Sequence, residues 1–512
     1  MNRRRVCATL LFSLGALPLL GLAIQAEPAS PKVGAGARIV VRIDPKLATD
    51  PPATGRVVVA LSRQPTGDLR SRIGRTGVDS TPIFGVDAIA FSPDKTVTVD
   101  AKACGFPIAS LAELPPGDYT AQAVLMTNRD LHLVSAPGNL YSKPTPIRLG
   151  EASAEQTLTL TEQTPPERLP GDTERVKYLK LPSKLLSDFH GRPMFYRAAV
   201  ILPSSFADEP NRRYPLRVHI GGYGTRFTVG RMFQRGPGPQ VITLVLDGAG
   251  PYGDPYQVNS ANNGPYGDAL TQELIPYVEK TYRGLGQPNA RFTDGASTGG
   301  WVSLALQIFY PDFFGGCWSQ CPDPVDFRAY ELMDIYRDAN AYVNGSGFER
   351  PAKRNVNGDT LYHVRHECQV ENVLGLGDCW HLGGRDWCSW NATFGPRGDN
   401  GHPKPLWDPK TGVIDRAVTS HWQKYDLRLV VERNWETLAP KLNGKIRIWV
   451  GEADDYFLNN AVHLFKQMTT RLKPAFAGRI DIEMRKGHSS GGWSEQEMLQ
   501  EMVTLAETQP RK

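Results

Sequence analysis

The sequence predicts a mainly parallel α/β sheet preceded by an all-β, sandwich-like N-terminal domain. Three observations carry that prediction. From about 170 to 505, β-rich runs alternate with amphipathic ones, the pattern of a sheet covered by helices. Residues 27–165 hold only short β-rich runs separated by Pro, Gly and Asp clusters. Between the two, Thr164 to Asp172 (TPPERLPGD) concentrates proline, glycine and charge, as a connector does.

The elements follow in order. In the N-terminal region strands are expected at Arg38–Ile43, Gly55–Leu61, Ala88–Phe91 and Thr96–Val99, and at Tyr119–Leu125 after a Pro-Pro-Gly turn. No catalytic constellation is visible there, so its expected role is structural or substrate-positioning. Beyond the connector, Arg197–Leu202, Leu216–Ile220 and Val241–Leu246 read as strands and Leu270–Tyr282 as an amphipathic helix. A short strand at Ala290–Asp294 runs into a helix at Gly300–Tyr310, and a late strand at Lys445–Val450 precedes a helix from Asn459 to Leu472. Ile480–Met484 reads as the last strand. Between about 325 and 440 the pattern weakens, and the segment is rich in Trp, His, Gly and Asn. An insertion of that length before the next core strand predicts a cap or lid. Its tryptophans (Trp380, Trp387, Trp390, Trp407, Trp422, Trp435) either pack the insertion or line a pocket.

The N-terminus reads as a secretory signal over residues 1–26. Arg3–Arg5 is its basic region, Ala8–Ile24 its apolar run, and Ala23–Ala26 a small-residue cleavage site. Pro18 and the shortness of the run argue against a retained anchor. No later segment is apolar enough to span a bilayer, so the expected location is secreted or periplasmic. Without the signal the chain holds 55 basic and 53 acidic residues, and no basic stripe suggests nucleic acid. Six cysteines remain, Cys104, Cys317, Cys321, Cys368, Cys379 and Cys388, and an even number in an exported chain predicts disulfides. Asn344-Gly345-Ser346 and Asn391-Ala392-Thr393 match the N-glycosylation pattern.

The most specific motif is Gly295-Ala296-Ser297-Thr298-Gly299, a G-x-S-x-G between a strand and a helix. A turn of that kind holds its central residue in a strained conformation with the side chain projecting, at a helix N-terminus that favours an adjacent oxyanion. A serine needs a histidine base, and the histidine needs a carboxylate. Both follow Ser297 in the chain. Gly451-Glu452-Ala453-Asp454-Asp455 lies past the late strand, and Gly487-His488-Ser489 lies in a glycine-flanked loop past the last strand. Of the adjacent acids, Asp454 is expected to orient His488, leaving Asp455 to cap a helix or hold loop backbone. The oxyanion donors are expected to be the N–H of Thr298 and that of Tyr223, with Gly222 as the alternative to Tyr223. His363, His366, Cys368, Cys379, His381 and Cys388 lack the tight C-x₂₋₄-C pairs of a structural zinc site, so no metal or cofactor is expected.

Residues from about 170 to 505 resemble the esterase D-like group of the α/β-hydrolases. The resemblance is carried by Tyr214 to Gly224, by Asn263 to Asp268 running into Glu273 to Tyr277, by the serine elbow, and by Gly487-His488-Ser489. That family usually shows His-Gly-x-Gly in the first segment; here Gly221 stands where the histidine would. The resemblance implies hydrolysis of esters or thioesters through an acyl-enzyme. The expected function is therefore an exported serine esterase acting on a small-molecule or polymer-linked ester, with no nucleic-acid partner. A serine peptidase with the same triad and a non-catalytic glycan-binding protein are the two competing readings.

Overall fold

A computed structural model describes residues 32–34, 36–64, 67–77, 79–150 and 155–508, and residues 32–512 fall in one compact unit. The expected signal segment lies outside the described residues. Among the described residues no helix is long and apolar enough to cross a membrane.

The N-terminal region supplies nine strands to one hydrogen-bonded sheet. They are β1 (Ile39–Ile43), β2 (Ala53–Ser62), β3 (Ile83–Phe91), β4 (Val97–Val99), β5 (Cys104–Phe106), β6 (Gly117–Met126), β7 (Leu140–Ser142), β8 (Thr145–Leu149) and β9 (Gln156–Gln163). Their order is β4-β1-β9-β7-β6-β2-β3-β5, with β8 also on β6; only β1 and β9 pair in parallel. The pleat sends alternate residues to opposite faces. Thus Val57, Val59 and Leu61 enter one apolar core shared by most of the strands. Val58 and Ala60 enter a second core on the other face.

The second sheet has eight strands: β10 (Val176–Ser183), β11 (Met194–Ile201), β12 (Leu216–Ile220), β13 (Ile242–Leu246), β14 (Arg291–Ala296), β15 (Gly316–Gln320), β16 (Ile446–Gly451) and β17 (Arg479–Glu483). Their order is β10-β11-β13-β12-β14-β15-β16-β17. The last six run parallel to one another, while β10 and β11 are antiparallel at one edge. The central strands are buried on both faces, as strands covered by helices on both sides must be. Register aligns their carboxyl ends: Ile220 pairs with Gly295, Ala296 with Gln320, Gln320 with Trp449, and Gly451 with Glu483. The loops that leave these ends therefore converge on one edge of the sheet, where open α/β sheets place their ligand sites.

The insertion between β15 and β16 folds over that edge. It contributes a hairpin (Pro351–Arg354 and Thr360–His363), helix α2 (Val364–Leu374) and helix α3 (Asp386–Phe394); helix α1, cited below, is Thr298–Phe309. Trp380, Trp387, Trp407 and Trp422 are fully buried and pack against one another and their aromatic neighbours. The insertion also docks on the N-terminal sheet. Val370, Val373 and Leu374 of α2 join Val58, Ala60 and Phe106 in the second core. Gly85 of β3 lies under this contact: a Cβ there would stand 2.1 Å from the Val373 carbonyl oxygen. Arg56, 3% exposed, donates to the carbonyls of Val373 (2.8 Å) and Asn372 (3.3 Å) and pairs with Asp87 and Asp378. A cation on the last carbonyls of a helix is favoured by the helix dipole, and it satisfies acceptors that have no intrahelical partner.

The expected disulfides are not formed: all six described cysteines are free. Cys317 lies in β15 and Cys321 just past its end, and four residues of extended chain span about 13 Å, well beyond disulfide reach. Cys379 and Cys388 instead donate to the carbonyls of Gly377 and His381.

Candidate active site

Ser297 occupies the turn between β14 and α1 with φ 60° and ψ −124°, outside the conformations a side chain ordinarily tolerates. The turn is tight enough to require its glycines. A Cβ on Gly299 would sit 2.0 Å from the Ile220 carbonyl oxygen, and one on Gly295 would sit 2.5 Å from Gly299 and Ile220 backbone. With these approaches open, α1 packs directly onto β12 and β14, and the serine is left projecting, half-buried, into a cavity of about 530 Å³.

Two loops from neighbouring strand ends bring the acid and the histidine. Asp454 is fully buried in the loop after β16. Its Oδ1 accepts from the N–H groups of Tyr456 (2.9 Å) and Leu458 (3.2 Å), and its Oδ2 lies 2.8 Å from His488 Nδ1. Asp455 turns away from the imidazole ring and accepts the backbone N–H of His488 at 3.3 Å, one of the two tasks expected of it. Burial alone would pull the His488 imidazole down. The Asp454 hydrogen bond and the Cys321 thiol beside the ring override this and raise it to about 11. His488 and Ser297 line the same cavity; no hydrogen bond joins them directly.

Thr298 and Tyr223, the expected oxyanion donors, line the same cavity as the serine. Thr298 is the first residue of α1, so its N–H has no intrahelical acceptor. Its hydroxyl is fixed by Asp323 Oδ2 (3.1 Å) and by Tyr256 (3.1 Å), and Trp390 Nε1 also donates to Asp323 (3.2 Å). Tyr223 lies in the Gly221–Gly224 turn after β12, and its hydroxyl donates to the Gly384 carbonyl of the insertion at 3.0 Å. In the same turn, a Cβ on Gly222 would stand 4.0 Å from Ser297 Cβ. Both loops thus reach the serine.

The remaining wall was not visible in the sequence. Asp323, Glu331, Glu367 and Asp386 all line the cavity, with Arg385 and Trp390 beside them. Burial pushes all four carboxyls up, Glu367 to about 8, and their mutual repulsion adds to the rise in Glu331 and Glu367. Asp323 follows a strand that the sequence reading missed; Glu331, Glu367 and Asp386 come from three separate elements of the insertion. The N-terminal region reaches the cavity too, through Thr76. Of the six tryptophans singled out, Trp390 lines it. His363 and His366 lie together with Glu349 on the insertion, where Arg365 already pairs with Glu349 at 2.8 Å.

The family model described as "Putative esterase" matches residues 194–496. Among solved structures, a ferulic acid esterase is similar at 15% identity, covering 65% of this chain and 98% of that one, with a TM-score of 0.35. An S-formylglutathione hydrolase from Agrobacterium tumefaciens is similar at 13% identity over 65% and 94%, with a TM-score of 0.35. Mycobacterium tuberculosis MPT51 is similar at 14% identity over 65% and 100%, with a TM-score of 0.39. None of the curated proteins compared matches the sequence.

Proposed function

Since this chain belongs to the Putative esterase family, we propose that it is an exported serine esterase that cleaves carboxylic esters through an acyl-enzyme. The observation that supports the mechanism best is the 2.8 Å contact of Asp454 Oδ2 with His488 Nδ1, on a cavity shared with a strained Ser297. In this reading His488 Nε2 takes the Ser297 proton as Oγ attacks the ester carbonyl carbon. The N–H groups of Thr298 and Tyr223 hold the resulting oxyanion. His488 then gives the proton to the leaving alkoxide, and the C–O bond of the alcohol breaks. Water, deprotonated by the same nitrogen, attacks the acyl-serine and releases the acid, returning the proton to Oγ. Asp454 keeps the tautomer that exposes Nε2 as the base. The cavity volume suits a small ester or the end of a polymer-linked one. The basic-then-apolar start of the chain supports export.

The test is p-nitrophenyl ester hydrolysis by the mature chain and by Ser297→Ala, with fluorophosphonate labelling of each. Loss of at least about 10⁴-fold in the variant, together with loss of labelling, is the expected result. Turnover or labelling that survives the substitution would remove Ser297 from the chemistry.

A further inference from the structure

Glu331 is buried at 2% exposure, and its Oε2 has no hydrogen-bond partner among the described residues. A buried carboxylate oxygen without a donor loses the hydrogen bonds it had to water and gains none in return. The backbone that holds it there is itself strained. Glu331 has φ +54° in a tight turn closed by Tyr330 and Met333, whose N–H groups donate to each other's carbonyls at 2.7 and 3.0 Å. An isolated oxygen, a left-handed glutamate and a place on the wall of the Ser297 cavity coincide in one residue. Strain of this kind persists where function requires it.

The neighbouring groups already have partners. Asp323 accepts from Thr298, Tyr256 and Trp390. Glu367 accepts from Trp387 Nε1 at 2.8 Å, and Arg385 lies 3.9 Å from Asp386. Lys353 donates to the Tyr456 hydroxyl at 2.8 Å. Arg350 pairs with Asp338 at 3.0 Å and donates to the backbone of Ala341. The basic side chains on the described wall, Arg385 and His488, already face Asp386 and Asp454, and Glu331 is the acid left over. Three oxygens from that wall do not come within 4.8 Å of one another, too open a spacing to clasp a bare metal ion. A neutral hydroxyl would satisfy one oxygen and do nothing to favour the carboxylate form that burial opposes. A donor that also carries positive charge answers both deficits, and Trp390 offers it an aromatic face.

We propose that the insertion side of this cavity binds a primary ammonium group carried by the ester substrate, with Glu331 as its carboxylate partner. The enzyme is then selective for amino esters. This rests on the serine esterase reading for its substrate class, but the binding site can be tested without turnover. In the Ser297→Ala protein, calorimetry should show hexylammonium binding at least about tenfold more tightly than 1-hexanol, as charge-assisted hydrogen bonds allow. That preference should collapse in Ser297→Ala/Glu331→Gln. In the active enzyme, methyl 6-aminohexanoate should exceed methyl heptanoate in kcat/KM, and 6-aminohexyl acetate should exceed heptyl acetate, in one pair or both. The ratio should fall towards one in Glu331→Gln, or in Glu331→Met if the first variant does not fold. Equal binding of amine and alcohol, equal rates for methyl 6-hydroxyhexanoate and the amino ester, or a preference that survives both substitutions would overturn the proposal. Failure of every ester to react, with Ser297 unlabelled, would sink the esterase reading and leave the calorimetric result to judge the ammonium site by itself.

Discussion

Asp454 and Glu331 are both buried carboxylates serving one cavity, and the fold treats them in opposite ways. Asp454 sits at a strand end with two backbone donors on one oxygen and an imidazole on the other. Glu331 sits in the insertion on a strained turn, with an oxygen that no group addresses. The first arrangement is complete within the protein, as a group that must hold geometry during chemistry should be. The second is incomplete, which is how a group looks when its partner arrives with the ligand. On the function proposed above, the difference separates the part of the site that would perform the reaction from the part that would select what enters it.

Replacing each carboxylate by its amide should break the symmetry of that comparison. Asp454→Asn turns an N–H₂ or a weaker acceptor toward His488 and disturbs the tautomer; kcat should fall about 10⁴-fold, read from steady-state ester hydrolysis. A smaller effect is expected at the clasp between the N-terminal sheet and α2. Arg56→Met leaves helix carbonyls and two half-exposed acids without their cation and should cost about 2–3 kcal/mol, measured by denaturant unfolding. Because α2 carries Glu367, the same variant should raise KM while fluorophosphonate still labels Ser297. Glu331→Gln should change stability by less than about 1 kcal/mol near neutral pH, because burial already holds the acid towards its neutral form, and should stabilise the protein as pH rises, since no hydrogen bond is lost and no charge is then buried.

Two pH profiles sharpen the contrast. Glu331 and Glu367 titrate above the ordinary glutamate range, Glu367 at about 8, so between that range and about 8 the native state holds protons that the unfolded chain has released. Stability should therefore fall as pH rises through this window, and fall less in Glu331→Gln. His488 shifts the same way for the opposite reason, through a partner that favours its charged form. Its neutral form is the base, so the acid limb of kcat/KM should lie above the ordinary histidine range near 6.5, and Asp454→Asn should move it down.

What could be read from the sequence was whatever chemistry is local. A glycine-flanked serine between a strand and a helix, an acid after a strand and a histidine in a glycine loop each announce themselves within a few residues. The parallel register then brings those three loops to one edge, which a linear reading can anticipate. Strand β15 (GCWSQ) escaped because its alternation is hidden: it is buried from Gly316 to Ser319, Ser319 bonds the Gly300 carbonyl at 2.7 Å, and no polar face marks it. Asp323 was lost with it. The acidic wall escaped for a deeper reason. Glu331, Glu367 and Asp386 share no spacing or period and meet only through tertiary packing, and each looks like an ordinary surface acid in the chain. The cysteines misled in the other direction, because an even count carries no information about distance.

Arg56 and Gly85 have a consequence for how this chain can change over time. They lie in a region without a reactive group, more than two hundred residues before the serine, yet they seat the helix that supplies part of the pocket wall. Variation along that N-terminal sheet can therefore retune which molecules are accepted while the hydrolytic machinery is inherited untouched. A chain trimmed back to the connector would keep its reactive residues and lose the scaffold on which new preferences could be selected.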